Sequence, residues 1–340
     1  MKKYVLVVTA VSALMVSAVF GQNAGVVWTE VKDSPFKGGH ITSIAWGKDK
    51  FVAVGHKEVG DVRTNTISYS SDGITWTVVK NRPFDRGYFS RIYWHNDRFI
   101  AYGWDGGSQN EISAYSSDGI TWTSVNSHHR FNNVAYGNNM FVAVSDIGGI
   151  AYSSDGITWT LVSEFEGQVG CGSGGGESNI VWGNGTFIAA LWSDACEGYE
   201  VRSAHSSDGI NWTWTEIDRD FSYVVWGNDK FVASGSHSGI MYSSNGIVWK
   251  EVKNKIFDEY QVGNITWGNN RFIVHVYSLK CDSECECCYP VGKNFAYSSD
   301  GITWTLAKNY PFGKSKTDTI VYGNGVFVAG SEDGKIAYSK

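Results

Sequence analysis

Proline, helical periodicity and excess positive charge are all scarce in this sequence. The 340 residues include only 4 Pro against 40 Gly, and no segment after residue 20 has the period of an amphipathic helix. A formal net charge of −6 lacks the electrostatic pattern of a nucleic-acid-binding protein. Hydrophobic and aromatic residues are abundant, at 42% and 15%, which excludes a disordered chain and favours a large core.

Residues 1–21 are expected to form a signal peptide. Lys2 and Lys3 precede an apolar run from Tyr4 to Phe20, which is short for a bilayer span and is followed by no stop-transfer pattern. Small residues favour cleavage after Gly21, and an uncleaved N-terminal anchor is the alternative. Cleavage would leave a secreted or periplasmic chain of net charge −8 with no membrane span, and its cysteines would then favour disulfides.

Two repeated strings divide the rest of the chain. One string, typified by AYSSDGITWT at 151–160, occurs six times, and the other, typified by IAWGKDKFVAVG at 44–55, occurs seven times. Successive aromatic anchors of the second string lie 41 to 55 residues apart, which is typical of propeller blades. These anchors are Trp46, Trp94, Tyr136, Trp182, Trp226, Trp267 and Tyr322.

Each unit has the pattern of four short strands joined by Asn/Asp/Gly turns. The last unit stops after its third strand, and GVVWTEV at 25–31 resembles the missing fourth strand. We therefore predict an all-β, seven-bladed β-propeller with four antiparallel strands per blade, whose ring is closed by the N-terminal strand completing the last blade. This domain is expected to span 22–340, with blades at about 41–79, 90–126, 132–163, 179–217, 222–253, 264–307, and 319–340 plus 25–32.

The six copies of the first string resemble the Asp-box, or BNR repeat, of sialidase-like β-propellers. Ser70, Asp72, Gly73, Thr75 and Trp76 carry the resemblance in the first copy, although the string is one residue shorter between Asp and Trp than the family's Ser-x-Asp-x-Gly-x-Thr-Trp. The resemblance implies a structural turn away from any active centre, and Asp or Asn side chains suit such a turn because they bond nearby backbone N–H groups. The expected turn residues are Asp72, Asp118, Asp155, Asp208, Asn245 and Asp300.

Sialidase chemistry itself is not expected here. That family binds its substrate through an arginine triad and carries a Phe/Tyr-Arg-Ile-Pro string, whereas FSRIY at 89–93 supplies Arg91 without the Pro. The family is also six-bladed, and this sequence has seven units. The resemblance therefore implies a non-sialidase member with a shortened Asp-box.

The connections after the second strand and between blades vary widely in length, whereas both hairpin turns are nearly constant. Because strand directions alternate, the variable connections emerge together on one side of the ring, which we call the variable face. Aligning the seven units gives two columns of dissimilar residues at this face. One column lies three residues before each aromatic anchor, and the other lies five residues after each second-strand Phe. The candidate ligand-binding residues from these columns are Arg91, Asn133, Asn179, Tyr223, Asn264, His56, Trp104, Asp146, Trp192, Tyr277 and Glu332.

An alternative reading treats these columns as ordinary solvated loop starts, with the two Trp residues packed under their own loops. The six cysteines are expected in disulfides, since export favours them over metal ligation and their spacing matches no standard zinc pattern. Cys171 and Cys196 flank one hairpin and are predicted to pair. The pairing of the remaining four is open, and they are Cys281, Cys285, Cys287 and Cys288.

The sequence thus favours a monomeric, exported binding or scaffolding propeller that recognises a glycan or protein through the variable face, with no cofactor, metal or nucleic acid. The alternative is a glycan-active hydrolase or lyase that uses carboxylates at the channel mouth. Acids available for that chemistry are Asp105, Asp146, Asp194 and Glu332.

Overall fold

Seven four-stranded antiparallel sheets make up the computed structural model of this chain. The structure describes residues 24–59, 62–84, 87–105, 111–125, 131–145, 149–162, 178–195, 198–215, 221–235, 239–282 and 287–340. In every sheet the first strand of the repeat is innermost and the fourth is at the outer edge. The prediction of a seven-bladed β-propeller is confirmed.

The first three blades follow the sequence repeats in order. Blade 1 contains β2 (Gly39–Gly47), β3 (Lys50–Val59), β4 (Val62–Ser70) and β5 (Thr77–Val78). Blade 2 contains β6 (Tyr88–His95), β7 (Arg98–Trp104), β8 (Glu111–Ser116) and β9 (Thr123–Val125). Blade 3 contains β10 (Asn133–Gly137), β11 (Met140–Val144), β12 (Ile150–Ser153) and β13 (Thr160–Leu161).

The next three blades repeat this order with longer inner hairpins in two of them. Blade 4 contains β14 (Asn179–Gly183), β15 (Thr186–Ala195), β16 (Gly198–Ser206) and β17 (Thr213–Thr215). Blade 5 contains β18 (Tyr223–Gly227), β19 (Lys230–Gly235), β20 (Gly239–Ser243) and β21 (Lys250–Glu251). A short helix, α1 (Lys255–Glu259), precedes blade 6, which contains β22 (Gln261–Gly268), β23 (Arg271–Asp282), β24 (Cys287–Ser298) and β25 (Thr305–Leu306).

Blade 7 is built from both ends of the described chain. Its inner strands are β26 (Thr317–Gly323), β27 (Val326–Ser331) and β28 (Ile336–Ser339), and its outer strand is β1 (Thr29–Glu30). Thr29 pairs with Tyr338 in antiparallel register, and the Val31 N–H donates to the Ile336 carbonyl at 2.8 Å. The predicted ring closure is therefore confirmed.

A two-residue turn joins the first and second strands of each blade. In blade 5, Asn228 and Asp229 have φ of 47° and 55°, and in blade 1, Lys48 and Asp49 have φ of 47° and 58°. Left-handed conformation at both central residues defines a type I′ turn, whose twist matches that of the flanking strands. This requirement accounts for the Asn, Asp and Gly residues that dominate these positions.

Adjacent blades pack through an aromatic anchor lying over a glycine of the preceding blade. A Cβ added to Gly137 would lie 2.0 Å from Trp182 Cδ2, and one added to Gly227 would lie 2.2 Å from Trp267 Cδ2. Blade 2 differs because His95 occupies the glycine position. Its Nε2 lies 3.0 Å from the Val134 carbonyl oxygen, and burial lowers the pKa of this imidazole to about 4 against the raising effect of that contact.

The string after the third strand forms the same turn in six blades, held by the bonds of a Ser hydroxyl and an Asp or Asn side chain. In blade 6, Asp300 Oδ1 accepts from the backbone N–H groups of Ile302 at 2.8 Å and Thr303 at 2.6 Å, and from the Ser298 hydroxyl at 2.9 Å. The Trp304 indole N–H donates to the Gly301 carbonyl at 3.2 Å, and Gly301 has φ of 73°. The neutral Asn245 of blade 5 makes the corresponding two backbone bonds at 3.0 Å each, so an amide oxygen also serves as the acceptor.

Acid is expected to weaken these turns. Partial burial opposes ionisation of Asp300, but the bonds from Thr303, Ile302 and Ser298 outweigh it and lower the pKa of this carboxyl to about 2. Since the pKa is lower in the folded than in the unfolded chain, the stabilisation is present above about pH 4 and is lost as the pH falls towards 2. In Asp300→Asn, we expect the free-energy deficit relative to wild type to shrink between pH 6 and pH 2, as followed by urea unfolding at each pH.

Asn245→Asp is the matched control for that measurement. It adds a carboxylate to a turn that now lacks one, so its unfolding free energy should depend more steeply on pH than that of wild type below about pH 4. A deficit in Asp300→Asn that stays constant with pH would contradict the assignment.

The described residues bear only in part on two further predictions, which concern a membrane span and the disulfides. None of the helices in the described segments has the length and hydropathy needed to cross a bilayer. Cys171, Cys196 and Cys285 lie outside the described residues, and only the backbone is described for the other three cysteines. That backbone places Cys281 opposite Cys288 in the β23–β24 pair.

Candidate functional site

Four innermost strands reach further towards the variable face than the other three, and each carries a β-bulge. The bulges interrupt β2 between Ile41 and Ser43, β6 between Phe89 and Arg91, β22 between Val262 and Ile265, and β26 between Thr317 and Thr319. A bulge places an extra residue opposite one partner residue and redirects the local side chains. The extended strands belong to blades 6, 7, 1 and 2, which are consecutive in the ring, so they form a raised wall on one side of the channel mouth.

A depression of about 190 Å³ opens beside this wall, between the inner strands of blades 5, 6 and 7. We call it the mouth pocket and define it by Tyr223, Asn264, His275, Tyr277, Lys316 and Asp318. Tyr223 begins β18, Asn264 lies in the bulge of β22, and Asp318 is the extra residue in the bulge of β26. Three elements that are distant in sequence therefore converge on one concave surface.

His275 is the most buried polar residue of the mouth pocket, at 1% exposure. Its imidazole stacks between the rings of Tyr277 and Tyr310, with centroid distances of 5.6 and 5.9 Å and interplanar angles of 27°. No hydrogen bond reaches its Nε2 from any part of the chain that the structure describes. Burial first, and then the ammonium groups of Lys316 and Lys293, lower the pKa of His275 to about 3, so this imidazole is neutral at physiological pH.

Lys316 and Asp318 place opposite charges at the rim of the pocket. Lys316 Nζ lies 3.8 Å from Asp318 Oδ1, and its side chain is 50% exposed. The other carboxylate oxygen, Asp318 Oδ2, lies 2.8 Å from His40 Nε2 in blade 1. The acid is therefore engaged across the blade 7–blade 1 boundary, and it is also paired with the half-exposed ammonium group of Lys316.

A second aromatic group adjoins this boundary. The His56 ring lies 5.4 Å from that of His40 and 4.9 Å from that of Tyr88, and His56 is 5% exposed. The contact between His40 and Asp318 joins this group to the mouth pocket, so the polar residues of blades 6, 7 and 1 form one continuous arc.

The structure brings together three of the eleven candidate residues in the mouth pocket, namely Tyr223, Asn264 and Tyr277. His56 belongs to the adjoining group, and Glu332 Oε1 accepts from the Lys316 backbone N–H at 2.8 Å. Asn179 Oδ1 instead accepts from the Val224 N–H of the next blade at 3.2 Å, and an Arg91 guanidinium N–H donates to the Ser90 carbonyl at 3.0 Å.

The remaining candidate residues are described only in part. Asn133 and Trp104 are partly exposed at the start of β10 and the end of β7. Asp146 lies outside the described residues, as does the side chain of Trp192. The same holds for the Asp194 side chain, so the predicted carboxylate geometry of a glycan-active enzyme stays a prediction.

Sequence reasoning missed His275, Lys316 and Asp318. Asp318 reaches the pocket because a bulge inserts it, and no repeat position corresponds to an inserted residue. His275 did carry a signal, since it lies three residues after the second-strand Phe, where four other units have Val, Ala or Gly. Those residues are Val54, Val144, Ala190 and Gly330.

Part of what the sequence suggested as variable loops is regular β-structure. The β3–β4, β15–β16 and β23–β24 pairs continue well beyond the sheet, and the strands of the last pair are 12 residues long. The described ends of these strands lie on the same face as the mouth pocket, because they extend past the start of the innermost strands. Of these strands, β23 contributes His275 and Tyr277 to the lining of the mouth pocket.

The arrangement resembles that of several solved propellers. The chain matches YCF48 from Cyanidioschyzon merolae with a TM-score of 0.61 and 16% identity, covering 92% of this chain and 98% of that one. It matches YCF48 bound to D1 peptide with a TM-score of 0.62 and 13% identity, covering 92% and 94%. The shared feature is the β-propeller fold.

A third propeller, the WD40 domain of Doa1, matches with a TM-score of 0.55 and 11% identity, covering 94% of this chain and 97% of that one. Identities this low establish the propeller fold alone. No protein-family model and no curated protein sequence matches the chain.

Proposed function

We propose that this chain is an exported, monomeric β-propeller that binds or scaffolds a protein partner through its variable face, with the mouth pocket at the centre of the contact. The observation that carries the proposal is the concave surface itself, on which Tyr223 of blade 5, Asn264 and Tyr277 of blade 6, and Lys316 beside blade 7 converge. A concave surface with a few convergent polar groups is the usual form of a binding site.

The packing of the aromatic residues favours a protein over a glycan. Sugar rings bind to exposed aromatic faces, but the His56 ring is covered by His40 and Tyr88, and the ring of Tyr277 stacks on His275. The pocket volume of about 190 Å³ is also below the range of roughly 300–1,000 Å³ usual for sites that enclose a whole small molecule. A pocket of this size suits one side chain or chain end of a larger partner.

Two other observations support this proposal. YCF48 bound to D1 peptide is a propeller of the same fold that holds a peptide. The hydrogen-bonded turns of Asp72, Asp300 and their equivalents are those expected of an Asp-box, so we propose kinship with the Asp-box propellers. We retain the signal peptide at 1–21, the single domain at 22–340 and the disulfides as parts of the proposal.

Selection from a random peptide library on the purified protein tests the proposed function. Selected peptides should bind to wild type and lose at least about tenfold in affinity with Tyr223→Ser combined with Lys316→Glu, a loss that corresponds to about 1.4 kcal/mol. The Lys48→Glu variant is the matched control, because Lys48 is exposed in the β2–β3 turn on the opposite face. Its affinity should equal that of wild type.

Three outcomes would overturn the proposal. They are failure to select any peptide, equal binding by the pocket variant, and a loss of binding in the Lys48→Glu control. A glycan array screened in parallel would instead support the glycan alternative if sugars bound and peptides did not. Thermal unfolding of each variant establishes that the comparison is made between folded proteins.

A further inference from the structure

The β23–β24 hairpin carries two cysteines at directly opposed positions. Cys281 of β23 pairs with Cys288 of β24 in antiparallel register, and the pair of Asp282 with Cys287 follows one position further out. Directly opposed residues of a ladder lie on the same face of the sheet, whereas successive residues of one strand lie on opposite faces. The backbone therefore brings Cys281 to the same face as Cys288 and leaves Cys287 on the other.

A proline in β24 fixes the kind of pair that these two cysteines form. Pro290 has no N–H, so its pair with Leu279 cannot be one in which both residues exchange N–H···O bonds. Hydrogen-bonded and non-hydrogen-bonded pairs alternate along an antiparallel ladder, and the Cys281–Cys288 pair lies two positions further along. It is therefore a non-hydrogen-bonded pair, a class whose Cα atoms are typically about 4.5 Å apart and whose side chains are closest. Disulfides join residues with Cα atoms about 4.4–6.8 Å apart, so this backbone meets the requirement without rearrangement.

We propose that Cys281 and Cys288 are a site of covalent modification, a cross-strand disulfide that clamps the far end of the β23–β24 hairpin. The two thiols give up two electrons and two protons as the sulfur–sulfur bond forms, and a small disulfide oxidant such as oxidised glutathione takes them up and is cleaved to two thiols. The inference rests on the proposed function for the oxidising compartment that export supplies. Since β23 also carries His275 and Tyr277, the clamp acts on a strand that lines the mouth pocket.

Two double variants of the full chain separate this pair from the other cysteines of the segment. The opposed variant, Cys285→Ser with Cys287→Ser, keeps Cys281 and Cys288. The offset variant, Cys285→Ser with Cys288→Ser, keeps Cys281 and Cys287 and is the matched control. Both variants hold two thiols on the same tryptic peptide, 281–293, and they differ only in whether the two cysteines are directly opposed.

Equilibration with mixtures of reduced and oxidised glutathione measures how readily each variant forms its disulfide. Thiol alkylation and mass spectrometry of the tryptic peptide then give the oxidised fraction. The opposed variant should be half oxidised at a ratio of oxidised glutathione to the square of reduced glutathione that is at least about tenfold lower than for the offset variant, because its backbone needs no distortion. Equal ratios in the two variants, or easier oxidation of the offset variant, would overturn the proposal.

The wild-type chain gives an independent test of the pairing. After oxidation, a protease that cleaves after Glu separates Cys281 from Cys285 and from the segment that begins at Cys287, and fragmentation of the linked peptides should show Cys281 joined to Cys288. A bond from Cys281 to any other cysteine would contradict the proposal. Thiols that resist oxidation until a chelator is added would contradict it too, because they would indicate a bound metal ion.

Amide hydrogen exchange measures whether the disulfide holds the hairpin. In a glutathione mixture that oxidises only the opposed variant, the amides of Lys280 and Tyr289, which form the adjoining pair, should exchange at least about threefold more slowly in that variant than in the offset variant, after correction for intrinsic rates. The difference should vanish when both variants are reduced. Equal exchange in the oxidising mixture would overturn the clamp. None of these measurements needs a partner, so their failure is separable from failure of the proposed function.

Discussion

Replacing Trp28 by alanine is expected to lower the free energy of unfolding by about 3–5 kcal/mol, the usual loss for a buried Trp. Trp28 is 3% exposed, and its ring lies 4.5 Å from that of Phe295 and 6.5 Å from that of Phe327. Its backbone N–H donates to Asn309 Oδ1 at 2.9 Å, and Asn309 Nδ2 donates back to the Trp28 carbonyl at 2.8 Å. One side chain thus holds the closing strand against both blade 6 and blade 7.

Urea unfolding followed by circular dichroism measures this loss, and Trp214→Ala is the matched control. Trp214 also lies on an outermost strand, β17, but it is 41% exposed, so its replacement should cost less than about 1 kcal/mol. Equal losses in the two variants would mean that the closing strand contributes no more than a surface strand. If Trp28 closes the ring, the two variants must differ in their loss of free energy of unfolding.

The substitution Gly137→Ala is expected to lower the free energy of unfolding by about 1–3 kcal/mol, which is the range for overpacking a core. The added methyl group would lie 2.0 Å from Trp182 Cδ2 and 2.2 Å from Trp182 Cγ, so the contact between blades 3 and 4 must open. Since the backbone of Gly137 is that of a regular strand, the effect is steric and involves no strained φ.

Gly149→Ala provides the control for this second effect. Among the described residues its Cβ would meet only the Ser145 hydroxyl oxygen, at 3.1 Å, and a shift of a few tenths of an ångström relieves this contact while keeping the hydrogen bond from the Gly149 N–H to that oxygen. We expect a change within about 0.5 kcal/mol of wild type, as is usual for sites without tight packing. A Gly137→Ala protein as stable as Gly149→Ala would show that the aromatic anchors do not set the spacing of the blades.

Most of the fold could be predicted because each blade repeats the same turns and the same packing contacts. Type I′ turns need Asn, Asp or Gly, blade contacts need an aromatic over a glycine, and both leave a visible period in the sequence. Ring closure was equally visible, since Trp28 occurs in a string that matches the fourth strand of the other units. The exception at His95 could not be understood from sequence, because its contact with Val134 lies in the next blade.

The candidate site was predictable only at the positions that belong to the repeat. Tyr223, Asn264 and Tyr277 were found because they occupy columns on the variable face. Asp318 and Lys316 could not be predicted, because Asp318 lies in a bulge and Lys316 lies in an irregular segment. The hydrogen bond from the Val224 N–H to Asn179 shows a further limit, as a side chain near the channel can bond the neighbouring blade.

The pairing of the first described strand with the last has a consequence for how the molecule matures. The Gly25 N–H donates to Ser339 Oγ across 314 residues of chain, so this contact cannot form until the whole ring has been translated. At a translation rate of about 5–20 residues per second, the N-terminal closing segment is complete roughly 15–60 s before β28 is synthesised. Throughout that interval β1 has no partner strand, and a nascent chain beside another can exchange segments with it. Crowded production of this protein should therefore favour interlinked chains, whereas dilute refolding should favour single rings.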